Sequence, residues 1–362
     1  MALRTAALAA GVIRSLALLG FLQARLFDTV VPAPVSRAWM LVLAAGLCAS
    51  RGAAAQPRDG LHTTGSRATM QVEEKWRGGS LHGARRIWRG NRLELEEHYA
   101  AGLLDGAWIA YRDDGGPRAR GRYRAGKREG QWTTYHSSGE LATRASYRRD
   151  RLHGAFARWS RAGRPVERGA YADGLKHGVW TAYDGRGRVA GRYRMDRGTG
   201  VQRAWHRSGR VASVTELRGG VAQGRHRRFG PGGRLLVDGR FDRGRRHGRW
   251  TEWRAGGGLA LEATYDAGAL TGRYRRFHPG GEPALVATYS GGQLDGPYAE
   301  YYPGGVVEHE GTYRADLRDG EFRQFYPDGT LAERTRWKRG VLTHREALGP
   351  DGRPDPRSSA RP

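Results

Sequence analysis

An internal repeat of about 24 residues limits the possible folds of this 362-residue chain more than any other feature. Twelve blocks open on a large apolar residue, the anchor, and the anchors follow one another at a nearly constant step that is slightly shorter before Tyr99 and before Tyr193. The anchors are Trp76, Tyr99, Tyr123, Tyr147, Tyr171, Tyr193, Leu217, Phe241, Tyr265, Tyr289, Tyr313 and Trp337. A fixed period of this length is typical of a repeat architecture, so the function is to be sought on a repeated surface.

Two further columns accompany the first eleven anchors without exception. Seven residues after the anchor stands a glycine: Gly83, Gly106, Gly130, Gly154, Gly178, Gly200, Gly224, Gly248, Gly272, Gly296 and Gly320. Twelve residues after it stands an aromatic residue: Trp88, Tyr111, Tyr135, Trp159, Tyr183, Trp205, Phe229, Trp253, Phe277, Tyr301 and Phe325. A third column, nine residues after the anchor, is aromatic in eight repeats and holds Arg85, Gln202 and His226 in the others. The ring column is therefore predicted to be thinnest around 193–229.

The composition within one repeat predicts a β-hairpin. Residues 179–183 and 188–193 are rich in aromatic and β-branched residues, and Asp184-Gly185-Arg186-Gly187 between them has the composition of a turn. We therefore predict an all-β fold, an elongated array of about eleven hairpins and 22 strands that forms one continuous, twisted, antiparallel single-layer sheet. Chains of this kind are stabilised between neighbouring repeats rather than by one central core.

Two sets of residues are predicted to hold this sheet together. The first is an aromatic ladder along one face, formed by Trp108, Tyr111, Trp132, Tyr135, Trp159, Trp180, Tyr183, Trp250, Trp253 and Tyr301. The second is a set of turn glycines, Gly106, Gly130, Gly154, Gly178, Gly248 and Gly296, at positions where a positive φ is expected.

The motif Gly-x-Trp-x-x-Tyr-x-x-x-Gly, as in Gly130 to Gly139, resembles the MORN repeat (membrane occupation and recognition nexus). The Gly-x-x-His-Gly segment from Gly174 to Gly178 is similar to the bacterial variant of that repeat, often described as antitoxin-like. The resemblance covers about 76–344. It implies an elongated antiparallel sheet that contacts proteins or membranes, and it implies neither catalysis nor a cofactor.

The charge is strongly positive, with 62 basic and 36 acidic residues and a net of +26, and it is unevenly distributed. Residues 147–264 are the basic middle, whereas 289–312 contain four acidic and no Lys or Arg residues. The candidate anion-binding face comprises Arg148, Arg149, Arg158, Arg227, Arg228, Arg245, Arg246 and Arg249. Such a face either keeps the sheet soluble or binds anionic lipid, lipopolysaccharide or an acidic protein. The opposite charges also permit head-to-tail self-association.

The N-terminal region is predicted to direct export. Arg37, a short apolar run and Ala53-Ala54-Ala55 have the layout of a signal peptide at about 35–55, cleaved after Ala55. The preceding residues indicate a start codon assigned too early, an unusually long presequence or an anchor that is not cleaved. Leu47 before Cys48, the single cysteine, argues against a lipoprotein. We therefore predict a targeting region at 1–55, a short segment at 56–75, the array at 76–344 and a disordered tail at 345–362.

Metal and catalytic sites are not predicted. His82, His153, His177 and His247 recur at one repeat position, but their copies stand about 10 Å apart along the sheet and do not converge. The sequence therefore favours a non-enzymatic exported scaffold for a protein partner or an anionic envelope surface. An antitoxin or immunity protein and a self-assembling envelope protein remain alternatives. Export and the use of the rings as core argue against nucleic acid as the partner.

Overall fold

The structure, a computed structural model, describes residues 58–349 and Arg353. The predicted targeting region at 1–55 and most of the predicted tail lie outside the described residues. Residues 58–349 form strands and turns only, in one 26-stranded sheet. The strands are β1 Gly60–Gly65, β2 Gln71–Arg77, β3 Ser80–Arg89, β4 Arg92–Ala100, β5 Leu103–Tyr111, β6 Pro117–Arg124, β7 Lys127–Tyr135, β8 Leu141–Arg148, β9 Arg151–Trp159, β10 Pro165–Ala172, β11 Leu175–Tyr183, β12 Val189–Asp196, β13 Thr199–Trp205, β14 Val211–Arg218, β15 Val221–Phe229, β16 Leu235–Asp242, β17 Arg245–Trp253, β18 Leu259–Asp266, β19 Ala269–Phe277, β20 Pro283–Ser290, β21 Gln293–Tyr301, β22 Val307–Arg314, β23 Leu317–Arg318, β24 Gly320–Phe325, β25 Leu331–Lys338 and β26 Val341–Ala347.

Each strand pairs antiparallel with its neighbours in the chain, so the predicted all-β hairpin array is confirmed. The count of 26 exceeds the predicted 22 for three reasons. The sheet begins at Gly60 with β1 and β2, it continues after the last hairpin with β26, and Asp319 divides one strand into β23 and β24, both of which pair with β22. The repeat is thus a true structural unit, and its pairing continues beyond both ends of the periodic region.

Two kinds of turn alternate along the chain. The turn Asp184 to Gly187 lies where the composition predicted it, and Gly187 has a φ of 81°. The connection between repeats is a two-residue turn such as Asp173-Gly174, in which both residues have positive φ, 52° and 91°. That geometry is a type I′ turn, whose twist matches that of the adjoining strands.

The glycines seven residues after the anchor do not lie in these turns. Gly178, with a φ of 72°, stands inside β11, and its counterparts Gly106, Gly130, Gly154, Gly248 and Gly296 also have positive φ within or beside strands. Arg168 pairs with Thr181 and Ala170 pairs with His177, so Gly169 alone faces the three residues 178–180. The prediction of turn glycines is therefore corrected: they form a β-bulge that recurs in most repeats.

The bulge brings the ring of Trp180 directly over the backbone of Gly169. A Cβ added to Gly169 would lie 2.3 Å from Cδ2 of Trp180, and the indole itself is fully buried. Gly121 under Trp132 and Gly239 under Trp250 repeat this arrangement.

In three repeats the ring is smaller and the residue beneath it is larger. Ala145, Ala263 and Ala287 occupy the glycine position in the repeats whose rings are Phe156, Tyr274 and Tyr298. In these six repeats the residue two before the anchor and the ring nine after it are matched in size, whereas Phe322 lies over Gly311 and Trp108 pairs with Glu97.

Ring-to-ring contacts join neighbouring repeats on this same face, which we call the ladder face. Trp180 lies 5.8 Å from Phe156, 5.1 Å from Tyr171 and 6.4 Å from Tyr193, measured between ring centroids. Edge-to-face and offset contacts of this kind add to the stabilisation from area burial. Each repeat thus completes the core of the next.

The predicted ladder residues do not all share the ladder face. Trp108, Trp132, Trp180 and Trp250 lie on it, whereas Tyr111, Tyr135, Trp159, Tyr183, Trp253 and Tyr301 lie on the opposite face. The two columns are three residues apart in one strand, and side chains alternate between faces. The expectation of a single face is corrected accordingly.

One of the twelve predicted anchors is displaced in the structure. Gly154 pairs with the anchor Tyr171, but Gly178, its counterpart in the next repeat, pairs with Met195 and not with Tyr193. Met195 therefore stands at the anchor position, and the shortened step falls after it, at the connection between β12 and β13. The repeat pattern favours Tyr193 because it is the nearest aromatic residue to the expected position.

The strand pairing and the packing of the ladder face differ at 193–229 from those in the other repeats. The shortened repeat lacks the bulge, and β12 pairs with β13 through only two residue pairs, Met195 with Gly200 and Asp196 with Thr199. Met195, 1% exposed, fills this part of the core together with Trp205. The ring centroid of Trp205 lies 6.1 Å from that of Tyr193, so contact between the rings continues across the shortened repeat.

Hydrogen bonds between successive turns reinforce the stacking of repeats at the edge of the sheet. The amide of Gly174 donates to the carbonyl of Leu152, and the amide of Arg149 donates to a carboxylate oxygen of Glu129 at 3.0 Å. Arg149 has a positive φ, so its turn is strained. The carboxylate of Glu129, from the preceding repeat, gives the amide of this turn a hydrogen-bond partner.

We predict that Gly169→Ala destabilises the central repeats by about 1–3 kcal/mol, because the added methyl collides with Trp180. Adding Trp180→Phe should recover part of this loss, because it recreates the natural combination of Ala145 and Phe156. Urea unfolding followed by far-ultraviolet circular dichroism measures both effects. If the two substitutions changed the free energy of unfolding by strictly additive amounts, the result would contradict the size matching.

Candidate functional site

The eight arginines predicted as an anion-binding face are dispersed over the molecule. Arg158, Arg228 and Arg246 lie on the ladder face, Arg227 and Arg249 on the opposite face, and Arg148, Arg149 and Arg245 in or beside the turns. The structure therefore does not bring the eight together as one surface.

Several of these arginines are also engaged within the protein. Arg158 pairs with Glu167 at 2.9 Å, and Arg249 pairs with Glu262. The guanidinium of Arg246 lies 4.5 Å from the ring centroid of Trp250. Those three side chains contribute to packing and charge compensation, which leaves little of their positive charge for a ligand.

Arg148 and Arg149 do contribute to an open cleft of about 910 Å³ at the turn edge. Five basic and two acidic side chains line it: Arg124, Lys127, Arg148, Arg149, Arg151, Glu129 and Asp173. Arg148 hydrogen-bonds Asp173 at 2.8 Å and holds the pKa of that carboxyl below its usual value. The cleft is basic, but its acids already neutralise part of the charge.

A more regular basic feature, missed by the sequence analysis, lies on the opposite face. Four exposed arginines, Arg120, Arg144, Arg168 and Arg192, which we call the arginine row, are aligned across the strands. The intervening partners in the cross-strand register are Thr133, Ala157 and Thr181. Because alternate strands stand about 10 Å apart, the row spans about 30 Å.

Aromatic rings support three members of the row. The guanidinium carbon lies 5.8 Å from the centroid of Tyr135 for Arg120, 6.0 Å from that of Trp159 for Arg144, and 5.7 Å from that of Tyr183 for Arg168. Distances of this size are typical of cation–π contacts. These three rings, each twelve residues after an anchor, therefore support arginines instead of forming core.

The arginine row is uncompensated, unlike the rest of the line on which it lies. None of the ion pairs among the described residues between 112 and 196 involves its members. Toward the N-terminus the same register reaches Glu96, which pairs with Arg86 at 3.0 Å, and toward the C-terminus it stops at Arg192, the last member of the row. The positive charge is therefore concentrated in the middle of one face.

Comparison with known families bears on this geometry. The sequence profile of the MORN repeat variant matches residues 128–149, 294–315 and 318–339. The chain carries MORN-variant repeats. MORN repeats are generally involved in binding proteins or membranes. A search of the curated proteins found no match to the chain.

The recurring histidines of the MORN array have a structural role. Nδ1 of His153 accepts a hydrogen bond from the amide of Asp173 at 3.3 Å, and His177 does the same for Arg197 at 3.4 Å. The described part of the chain contains no group of three or more His, Cys, Asp or Glu side chains that could hold a metal ion. Within residues 58–349, no helix is long and apolar enough to cross a bilayer.

The acidic end of the MORN array contains a titratable pair. Nδ1 of His309 lies 3.5 Å from a carboxylate oxygen of Glu300. The proximity of the carboxylate raises the pKa of His309, and the imidazole lowers the pKa of Glu300. The pair therefore stabilises the fold most while Glu300 is ionised and His309 is protonated, in mildly acidic solution.

His226 responds to pH in the opposite sense. It replaces a ring in the ladder, stacks on Trp250 at 5.9 Å and contacts Thr215 at 2.9 Å. Burial lowers its pKa, so the unfolded chain binds the proton more readily than the folded one.

We predict that β15–β17 lose stability as the pH falls below about 6.5. In this range the unfolded chain binds a proton at His226, whereas the folded chain keeps the buried imidazole neutral, so protonation favours unfolding. His226→Phe should reduce this loss, whereas His344→Gln, at an exposed site, should leave it unchanged. Amide hydrogen exchange of β15–β17, corrected for the intrinsic pH dependence of exchange, isolates the effect. Identical pH profiles for the wild type and His226→Phe would refute it.

Proposed function

We propose that the chain is an exported, non-enzymatic MORN scaffold that binds a protein partner or an anionic envelope surface. The uncompensated arginine row is the observation that carries this proposal, because it presents ordered positive charge on the face away from the ladder. The profile match supports a binding role, since MORN repeats are generally binding modules. Export rests on the sequence features at 35–55.

The ladder face is less suited to binding. Its rings pack against the rings of neighbouring repeats, and the central side chains Trp180 and Met195 are almost completely buried. The opposite face keeps its arginines exposed while its backbone is held by the same strands. One face therefore supplies stability, and the other is available to a partner.

We expect the full chain, expressed in its own cells, to be found in the envelope fraction with Gln56 as its first residue. Immobilised, it should retain a defined set of envelope components beyond those retained by an unrelated protein of similar pI, about 11.0. Elution in steps of rising salt separates the two binding modes, because electrostatic docking weakens with salt and a shaped apolar contact does not. Retention no different from the control protein would contradict the proposal.

Self-assembly is a second candidate, favoured by the two ends of the sheet. Among the described residues, β1 pairs only with β2 and β26 only with β25, so each has one edge without a strand partner. Leu61 on β1 and Val341 on β26 are 70% and 66% exposed. Open edges with exposed apolar side chains favour strand addition between molecules.

This second candidate predicts polymers that grow with protein concentration. Lysine on an edge strand opposes pairing with another chain, so Val341→Lys should lower the average size. Sedimentation velocity over a hundredfold range of concentration measures it. A single species at all concentrations would exclude assembly through the edges.

A further inference from the structure

We propose that the arginine row is a binding site for one linear anionic polysaccharide chain that carries carboxylate or sulfate groups. This inference rests on the proposed function and adds to it the arginine row as the binding site and an anionic polysaccharide as the class of ligand. The ligand would lie along the row, across the strands, with successive acidic groups on Arg120, Arg144, Arg168 and Arg192.

The geometry of the arginines suits oxyanions. A guanidinium presents a planar fork of donors that matches carboxylate and sulfate oxygens. Cation–π contacts with Tyr135, Trp159 and Tyr183 restrain three of these side chains. All four arginines remain exposed, so the site is partly organised before a ligand arrives.

A shallow groove runs beside the row. It has a volume of about 610 Å³, and Arg144, Arg168 and Arg192 line it together with small side chains such as Ala157 and Thr181. A chain can therefore approach the guanidinium groups without displacing a bulky residue. The groove and the row follow the same direction because both repeat with the strands.

Charge complementarity limits the site to the middle of the array. Toward the N-terminus the line of cross-strand partners meets the ion-paired Glu96, and toward the C-terminus it stops at Arg192, because β12 pairs with β13 only through Met195 and Asp196. From Ile109 to Arg192 the line contains isoleucine, arginine, threonine and alanine but no acid. A polyanion bound there would neutralise charges that the protein leaves uncompensated and would release their counterions.

The arrangement favours a chain over a flat membrane or a folded protein. The charges form a single file, whereas a bilayer presents anionic groups in two dimensions. The groove also presents few of the large apolar anchors that usually supply the energy of a protein–protein interface, since Phe156 in its lining is buried and Val179 is its one exposed aliphatic side chain larger than alanine.

The rings argue against a nucleic acid as the occupant. Proteins that bind single strands stack the bases on open aromatic faces. Here three arginines of the row already contact Tyr135, Trp159 and Tyr183, which hinders bases from reaching the rings. A polysaccharide with acidic groups needs only the donor edges of the arginines, so it suits the surface better.

Heparin oligosaccharides of graded length are a suitable probe, titrated against the full chain at several salt concentrations. Affinity should rise with length until the oligosaccharide spans the row, about 30 Å, and then level off. The double variant Arg144→Glu/Arg168→Glu should bind at least about tenfold more weakly and show a shallower salt dependence. Arg144→Lys/Arg168→Lys should fall between this variant and the wild type.

The matched control is Arg228→Glu/Arg276→Glu, which makes the same change in net charge at exposed arginines of the ladder face. It should change the affinity less than about threefold. Circular dichroism shows whether each variant is folded. Equal losses in both charge-reversal variants would mean that only net charge matters and would overturn the proposal.

Two further probes identify other occupants. Tighter binding to phosphatidylglycerol vesicles or to a thymidine oligonucleotide than to heparin would overturn the polysaccharide assignment. If heparin fails to bind but envelope components are still captured, the inference is wrong and the proposed function survives. If both fail, the proposed function is also wrong.

Discussion

The close approach of an aromatic ring to the backbone of the neighbouring strand is the constraint on which the sheet depends. A single-layer sheet has no second layer to cover it, so its apolar side chains must cover the backbone themselves. The bulge at Gly178 allows Trp180 to lie over Gly169, and the rings of adjacent repeats then cover one another. Since each repeat is completed by its neighbours, stability is shared along the array.

The sequence predicted the fold well because period, turn composition and ring columns all point to hairpins. It did not predict the bulge, because a glycine with positive φ is equally compatible with a turn and with a bulge. The assignment of all rings to one face failed for a simpler reason. Trp180 and Tyr183 are three residues apart in one strand, and strand alternation places them on opposite faces.

The candidate site was harder to find from sequence. The arginines of the row recur with the period of the repeat, but among the many other arginines their alignment becomes visible only with the cross-strand register. The eight arginines chosen for their density are spread over both faces and the turns, and several are ion-paired. Local density of charge pointed to 147–264, whereas Arg120 and Arg144 of the row precede that segment. The ladder face supplies the packing between repeats, and the opposite face carries the exposed charge.

The most direct test of this account is residue-resolved hydrogen exchange of the wild type and of Trp180→Ala. Removing a fully buried indole should cost about 3–5 kcal/mol locally. If repeats are stabilised by their immediate neighbours, protection should fall in β9–β12 and recover within about one repeat on either side. Unchanged protection in β9–β12, or an equal loss from β1 to β26, would contradict the central claim.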